Sequence, residues 1–290
     1  MRVLFWGCRG TIASPGADTA RYGGNTSCVE VRLDDGTLLI LDAGTGARAL
    51  GQARVGESPS RIDLLITHLH VDHIEGLGFF EPIWRAETDL HVWGPPSPIA
   101  SHDQRLAKYF SPPLFPLHLS EVPAHVTFHD APEGSWTIGG ATVHSTAIQH
   151  QGITVGYRVE ADGAAVTYLT DHEPALGADI ETALPEWISG AALAWKADLL
   201  IHDCQYTDEE YEARVGFGHT RATDVAAFAA KVGARRLALF HHDPFHSDDE
   251  LDAIRERVLE RWSVEPSRVV IATEGAELTS SVGVGPVDRR

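Results

Sequence analysis

The chain has 290 residues, 43% hydrophobic and 22% charged, with 41 Asp and Glu against 23 Lys and Arg for a formal net charge of −18. That length can bury a sizeable core, and without a low-complexity tract or an apolar run of membrane-spanning length the composition is that of an ordinary globular protein. A surface this acidic repels long polyanions and no Lys/Arg-rich stripe offsets it, so no large nucleic acid is expected as a partner; a small anion can still be drawn to a bound divalent cation.

The first residues, MRVLFWGCRG, run straight into a strand-like segment without the long apolar stretch of a secretion signal. Cys8, Cys28 and Cys204 are an odd number with no CxxC. They point to a reducing cytoplasm and to buried small side chains rather than to disulfides or zinc ligands. Short apolar runs bounded by turn residues predict strands near 2–6, 28–33, 37–41, 62–66, 89–93, 125–129, 141–146, 153–159, 164–169, 198–202, 236–240 and 268–272. The early ones, joined by signals such as LDDGT, read as antiparallel. After the fifth strand, 94–123 is rich in Pro, Leu and aromatic residues and predicts an ordered lid or insert, which also offers a surface for a homodimer. Two later helices are well marked. TRATDVAAFAAKVG opens on Thr, carries Val225, Phe228, Ala229 and Val232 on one face and stops at Gly233. SDDELDAIRERVLERW opens with Ser247 and Glu250 in capping-box spacing. The order predicts two sheets sandwiched between helices, in a single domain over 1–290.

Several strands end alike: LLILD at Asp42, LLITH at His68, VTYLTD at Asp171, LLIHD at His202 and Asp203, LALFHH at His241 and His242. Strands that end together gather those side chains in one crevice at their carboxyl edge. A single His there is more often a hydrogen-bonded structural residue; repeated acid and imidazole endings are harder to explain that way. In THLHVDH, 67–73, an extended loop points His68 and His70 the same way, so they can share one metal. Asp72 and His73, opening a helix at DHIEGLGFF, turn towards a second. Zn²⁺ and Mn²⁺ accept imidazoles and carboxylates, and no thiolate is needed.

THLHVDH resembles the HxHxDH signature of the metallo-β-lactamase superfamily, and later elements follow in that superfamily's order: AIQHQGITVGYRV with His150, TYLTDHE with Asp171, and LALFHHDP with His241. GGNTSCVEV and LILDAGTG look like the amino-terminal strands of its phosphodiesterase-like, ribonuclease Z-related branch. The likeness covers most of the chain and implies an α+β fold, a four-layer αββα sandwich, with two divalent metal ions: zinc first, manganese or iron as alternatives. It implies that His68, His70 and His150 hold the first metal, that Asp72, His73 and His241 hold the second, and that Asp171 bridges both. His242 is the fallback for His241. Asp42 stands where the family has a carboxylate that orients a ligating His. His144 and His202, inside strands, read as core or supporting histidines, and His246, beside a helix start, as a surface residue. His219 in GFGHTRATD precedes a helix whose free N–H groups favour an anion. It resembles the branch's histidine that contacts the scissile phosphate or helps the leaving group; a solvent-facing helix cap is the alternative.

The implied reaction is hydrolysis of a small phosphodiester, such as a cyclic nucleotide, by a hydroxide activated between two metals. Asp72 would orient it or accept its proton, and His219 would act on the phosphate oxygen or the departing alkoxide. Asn25 in GGNTS could bond the substrate or serve the turn's backbone. A lactonase or thioesterase on the same scaffold is the alternative. Asp171 disfavours a β-lactamase, and His70, where the superfamily's di-iron oxidoreductases usually carry Glu, disfavours that chemistry. No ligand is missing, as it would be in a non-enzymatic relative. The lack of a basic RNA-binding arm counts against tRNA processing, since GPPSPIASHDQRLAKYF has only Arg105 and Lys108 as cations. Trp6, Trp84, Trp93 and Trp136 suit the core as well as ligand stacking.

Overall fold

The computed structural model, which describes residues 1–56 and 61–279, contains two seven-stranded sheets. The first holds β1 (Arg2–Gly7), β2 (Cys28–Arg32), β3 (Leu38–Leu41), β4 (Arg61–Leu65), β5 (Asp89–Gly94) and β6 (His125–Asp130) side by side in that order, with β14 (Glu277–Thr279) outside β1. The second holds β7 (Gly134–Ile138), β8 (Ala141–Ala147), β9 (Val155–Ala161), β10 (Ala164–Leu169), β11 (Leu199–Asp203), β12 (Leu237–Phe240) and β13 (Val269–Ile271), again in order. Each sheet changes character midway. β14, β1, β2 and β3 pair antiparallel and β3 to β6 parallel. Likewise β7 to β10 pair antiparallel and β10 to β13 parallel. The antiparallel reading of the early strands therefore holds only as far as β3. From there α1 (Gly46–Ala53) carries the chain back to a parallel β4, a reversal that no two-residue hairpin can make.

Period-two alternation explains the layers. In β3, Leu39 and Leu41 point between the sheets, where they share a core with Tyr157, Val159, Ile201 and Phe240. Leu38 and Ile40 point outward into a second cluster with Leu50, Phe80 and Phe110. On the other sheet Leu199 and Ile201 face inward while Leu200 faces the helices. His202 follows Leu200 outward, and its ring lies 4.8 Å from Phe228 of α5 (Ala222–Val232). Each such buried side chain contributes about 1.5–3 kcal/mol. With α3 (Ala191–Ala194), α5 and α6 (Asp248–Trp262) outside one sheet, α1 and α2 (His102–Leu106) outside the other, and the short α4 (Asp208–Tyr211) between β11 and α5 in the chain, the result is a four-layer αββα sandwich.

Local signals set the helix ends. Ser247 Oγ accepts the Glu250 N–H at the start of α6, and Gly233, at φ 68°, ends α5. DHIEGLGFF is not the expected helix but two short 3₁₀ turns, Val71–His73 and Leu77–Phe79. Two glycines weaken helix formation there. Strands β7 and β14, absent from the sequence reading, are short edge strands with few apolar residues. Segment 94–123 contains α2 and a 3₁₀ turn, Leu119–Glu121; its Leu106, Phe110 and Phe115 are buried in the first sheet's outer cluster. All three cysteines are buried and unpaired, and among the described residues no helix is long and apolar enough to cross a membrane.

Candidate metal centre

The site straddles the carboxyl ends of β3 and β4 in one sheet and β10, β11 and β12 in the other, joined by the loop after β8. Three residues just past strand ends adopt left-handed backbone: Asp42 at φ 60°, Asp171 at 48° and His241 at 57°. For a residue with a Cβ this costs roughly 1–2 kcal/mol.

Three groups of ligand-type atoms result; Asp203, His219 and His241 form the smallest, and the other two meet at Asp171. His68, His70, His150 and Asp171 each bring one such atom within 4.8 Å of the others, and so do Asp72, His73, Asp171 and His241. Asp171 belongs to both. Its Oδ2 lies 3.6 Å from Nε2 of His68 and of His150, while its Oδ1 lies 3.0 Å from Nε2 of His73 and of His241. Asp72 Oδ2 is 3.2 Å from those last two nitrogens and accepts the Thr11 N–H at 2.8 Å.

The far nitrogens are braced. His73 Nδ1 bonds Asp42 Oδ2 at 2.8 Å, His241 Nδ1 bonds Gln205 Oε1 at 2.9 Å, and His150 Nδ1 bonds the Gly218 carbonyl at 2.9 Å. A ring that donates from Nδ1 offers a bare Nε2 on its other side. Asp42, fully buried, also accepts from the Thr67 N–H and from the Thr67 and Tyr168 hydroxyls. Two glycines let backbone approach these rings. A Cβ on Gly10 would lie 2.3 Å from the His241 ring, and one on Gly218 only 2.2 Å from His150 Nδ1.

Whether these residues fit metal ions can be judged from the atoms left over. His68 Nε2 and His73 Nε2 are buried without a hydrogen-bond partner, although buried polar atoms nearly always find one. One such orphan in each larger group, beside shared carboxylates, is what a divalent cation would satisfy, and imidazole with carboxylate suits Zn, Mn or Fe. Burial opposes charge on Asp171, yet His241, His73 and His68 hold it well below the usual carboxylate range. Burial also pushes His68 well below the usual imidazole value, keeping the ring neutral as ligation requires.

His219 stands beside both larger groups. Its ring stacks on His241 at 5.0 Å between centroids and lies 5.2 Å from His150, while its Nδ1 bonds Asp203 Oδ2 at 2.8 Å. Burial works against charging His219, but Asp203 outweighs it and raises the pKa to about 9. Asp203 also accepts the Thr220 N–H at 2.8 Å. Three supporting roles escaped the sequence reading: those of Asp203, Gln205 and Glu173. Glu173, 1% exposed, accepts the Tyr211 hydroxyl at 2.7 Å and the Gly216 and Gly218 N–H groups at 2.8 Å each. It thereby fixes the loop whose Gly218 carbonyl braces His150 and whose next residue is His219. The strand-end position of Asp203 was the only signal available for any of the three.

The other singled-out residues lie elsewhere. His242 bonds the Ala272 carbonyl at 3.1 Å, and only His241 of the pair joins a ligand group. His202 is core, between His172 Nδ1 at 2.9 Å and the Asp203 carbonyl at 2.7 Å. His144 is half-buried, 3.4 Å from Glu160. His246, expected at the surface, is buried at 5% exposure because the fully buried Arg9 draws in its carbonyl at 2.7 Å. The Asn25 side chain is tied to Glu274 at 2.9 Å and serves the turn. Trp93 and Trp136 pack 5.1 Å apart against the inter-sheet core, and Trp6 and Trp84 donate to Glu30 and Gly78. Beside the first group lies a cavity of about 480 Å³ whose walls include His68, His70, Lys108, Tyr109 and Leu114.

Residues 37–242 match the family described as Beta-lactamase superfamily domain. The chain is 27% identical over 255 residues to Ribonuclease Z of Myxococcus xanthus, covering 73% of this chain and 80% of that protein. It superposes on YhfI, a metallo-beta-lactamase fold protein of Bacillus subtilis, with a TM-score of 0.68 at 20% identity, covering 96% and 99% of the two chains. Human tRNase Z, short form, gives a TM-score of 0.65 at 20% identity over 97% and 100%. The expectation that no large nucleic acid is a partner is corrected by the relatives named Ribonuclease Z, in Myxococcus xanthus and Haloarcula marismortui. The physical error lay in judging from a net charge of −18: that is a sum over the whole surface, whereas an anion responds to the local field of a site that divalent ions can invert. With most of its length matched by the family and both sheets superposing on solved members of the fold, the chain belongs to the beta-lactamase superfamily and is a hydrolase of the metallo-β-lactamase fold.

Proposed function

We propose that this hydrolase cleaves phosphodiesters, with His68, His70 and His150 as ligands of one divalent ion, Asp72, His73 and His241 as ligands of a second, and Asp171 shared between them. The observation that carries the reading is His219. Its Nδ1 is held by Asp203, and its Nε2 has no partner among the described residues, on a ring packed against ligand candidates of both groups. When bound, the two ions would supply charge neutralisation for the phosphate and a lowered pKa for water. Asp72, pinned by the Thr11 N–H, is able to orient the attacking water and accept its proton. Asp203 keeps the proton on His219 Nδ1 and stabilises the charged ring, so that Nε2 hydrogen-bonds a phosphate oxygen or protonates the departing alkoxide. Glu173 keeps the loop carrying that ring in position.

The cavity beside the first group, about 480 Å³, falls in the range that takes a nucleotide-sized ligand. Cyclic nucleotides are the small substrates it suits, and the ribonuclease relatives make RNA a second candidate. Zinc is the first choice of metal, with manganese or iron as alternatives. The test is hydrolysis of bis(p-nitrophenyl) phosphate with Zn²⁺ or Mn²⁺ and with chelator, alongside a cyclic nucleotide, a tRNA transcript, a lactone and a thioester. We expect metal-dependent phosphodiester cleavage whose kcat falls ~10²–10⁴-fold in His219→Ala. Activity confined to the lactone or thioester would overturn the reading.

A further inference from the structure

The cavity beside His68 and His70 reverses the charge balance of the molecule. Acids outnumber bases 41 to 23 in the chain, yet this wall carries Arg105 and Lys108 and, among the described residues, no carboxylate. Neither cation has an ion pair among the described residues. Arg105 is half-buried; its Nη2 donates to the Pro95 carbonyl, and its Nε is buried with no partner. The exposed Lys108 ammonium makes no hydrogen bond or ion pair among the described residues either. The two lie three residues apart in a segment anchored by buried Leu106 and Phe110, so the cations are held on one side of a fixed turn. Much of the remaining wall is apolar: Leu69, Val71, Ile74, Leu114 and Ile153, beside Tyr109.

One cavity thus combines ligand-type histidines, an apolar body and unpaired positive charge. A half-buried guanidinium that feels Asp130 only beyond ion-pair distance, and whose burial outweighs that attraction, carries a desolvation cost that an incoming anion would relieve. In so acidic a molecule, a wall without carboxylates also makes a local positive field that selects among substrates. An arm that ended in an uncharged group would leave both cations unused.

We propose that this cavity is a subsite for the organic arm of the substrate and that Arg105 and Lys108 select arms bearing a second phosphate. The inference rests on the phosphodiesterase reading above. The arm is a nucleoside-sized group, and its second phosphate comes either from a doubly phosphorylated nucleotide or from the next linkage of a polynucleotide. The chemistry at the two cations is the same in both.

The probes are thymidine 5′-(p-nitrophenyl phosphate) and the same ester carrying a 3′-phosphate. The ratio of their kcat/KM values cancels any general loss of activity. We expect the 3′-phosphate to raise kcat/KM roughly five- to tenfold, mainly through KM, with the ratio falling towards one in Lys108→Met and below one in Lys108→Glu. Lys108 is exposed, so both variants should fold, and a melting curve checks this. A ratio near one in the native chain, or one that Lys108→Glu leaves unchanged, overturns the proposal. Calorimetric binding of thymidine 3′,5′-bisphosphate against thymidine 5′-monophosphate separates this result from failure of the function. Tighter, Lys108-dependent binding of the bisphosphate without any phosphodiester hydrolysis keeps the subsite and sinks the phosphodiesterase. Equal binding of the two sinks the subsite. The p-nitrophenyl ester of a thymidine dinucleotide tells the two sources apart: a rate above the 3′-phosphorylated monomer assigns the subsite to polynucleotides, and an equal rate to nucleotides.

Discussion

His73 and His241, in the second ligand group, are fully buried, and each has its Nδ1 fixed by a side chain, Asp42 and Gln205. His70, in the first group, is exposed; its Nδ1 faces His150 Nε2 at 3.3 Å, and its far Nε2 has no brace among the described residues. The two groups share Asp171 but not their surroundings. In one every histidine is closed in the core; the other is buried at His68 and His150 but opens through His70 onto a cavity walled in part by segment 94–123. A dinuclear site built on these residues, as proposed, would have a structural half and a half left open to substrate.

Asp171→Ala would break the comparison, because it removes the residue common to both halves. We expect both ions to be lost on elemental analysis. The loss of several kcal/mol of charge stabilisation would lower kcat at least ~10³-fold. His70→Ala sharpens the comparison instead: about one ion per chain should remain, held by the buried half, and retention of two would show that the exposed histidine is no ligand. Gln205→Ala reaches only the buried half, since that side chain bonds His241 and Asp243. Its expected effect is a 10–100-fold weaker affinity for one ion, measured by chelator competition, with the other ion's affinity unmoved.

The smallest effect concerns the open half alone. His102, in the segment that forms the cavity wall, is 3% exposed, and burial, with Arg105 next, lowers its pKa to about 4. The ordinary unfolded value is about 6.5. Above that pH both states are neutral and nothing is lost. As pH falls from about 6.5 towards 4 the unfolded chain takes the proton first, so stability drops, by about 1–2 kcal/mol at pH 5. Hydrogen exchange at pH 7 and pH 5 should show residues 102–115 loosening ahead of the strands that carry Asp42 and His241, and His102→Gln should flatten that response.

These contrasts were only partly legible in the sequence. Apolar runs such as VTYL and LLIL marked β10 and β3 as strands because both faces of each are buried, at the point in each sheet where the pairing turns parallel. Edge strands β7 and β14 offered no such run. The histidines of THLHVDH and the strand-end acids announced themselves by residue type, and the fold gathers them within 4.8 Å. The braces did not. Glu173 meets Gly218 across 45 residues and His241 meets Gln205 across 36; each is an ordinary polar residue until the loops close. Net charge misled for a related reason, since a sum over 290 residues cannot register two unpaired cations on one wall.

The left-handed turns at Asp171 and His241 set a limit on engineering this chain. Glycine or asparagine would adopt those backbone angles with less strain, so a library screened only for heat resistance will be drawn to these positions. Every such gain would be taken from the carboxylate and imidazole at the centre of the site. Durability and reactivity compete there residue by residue, and a thermostable variant that still works must find its gains elsewhere, with those two codons held fixed.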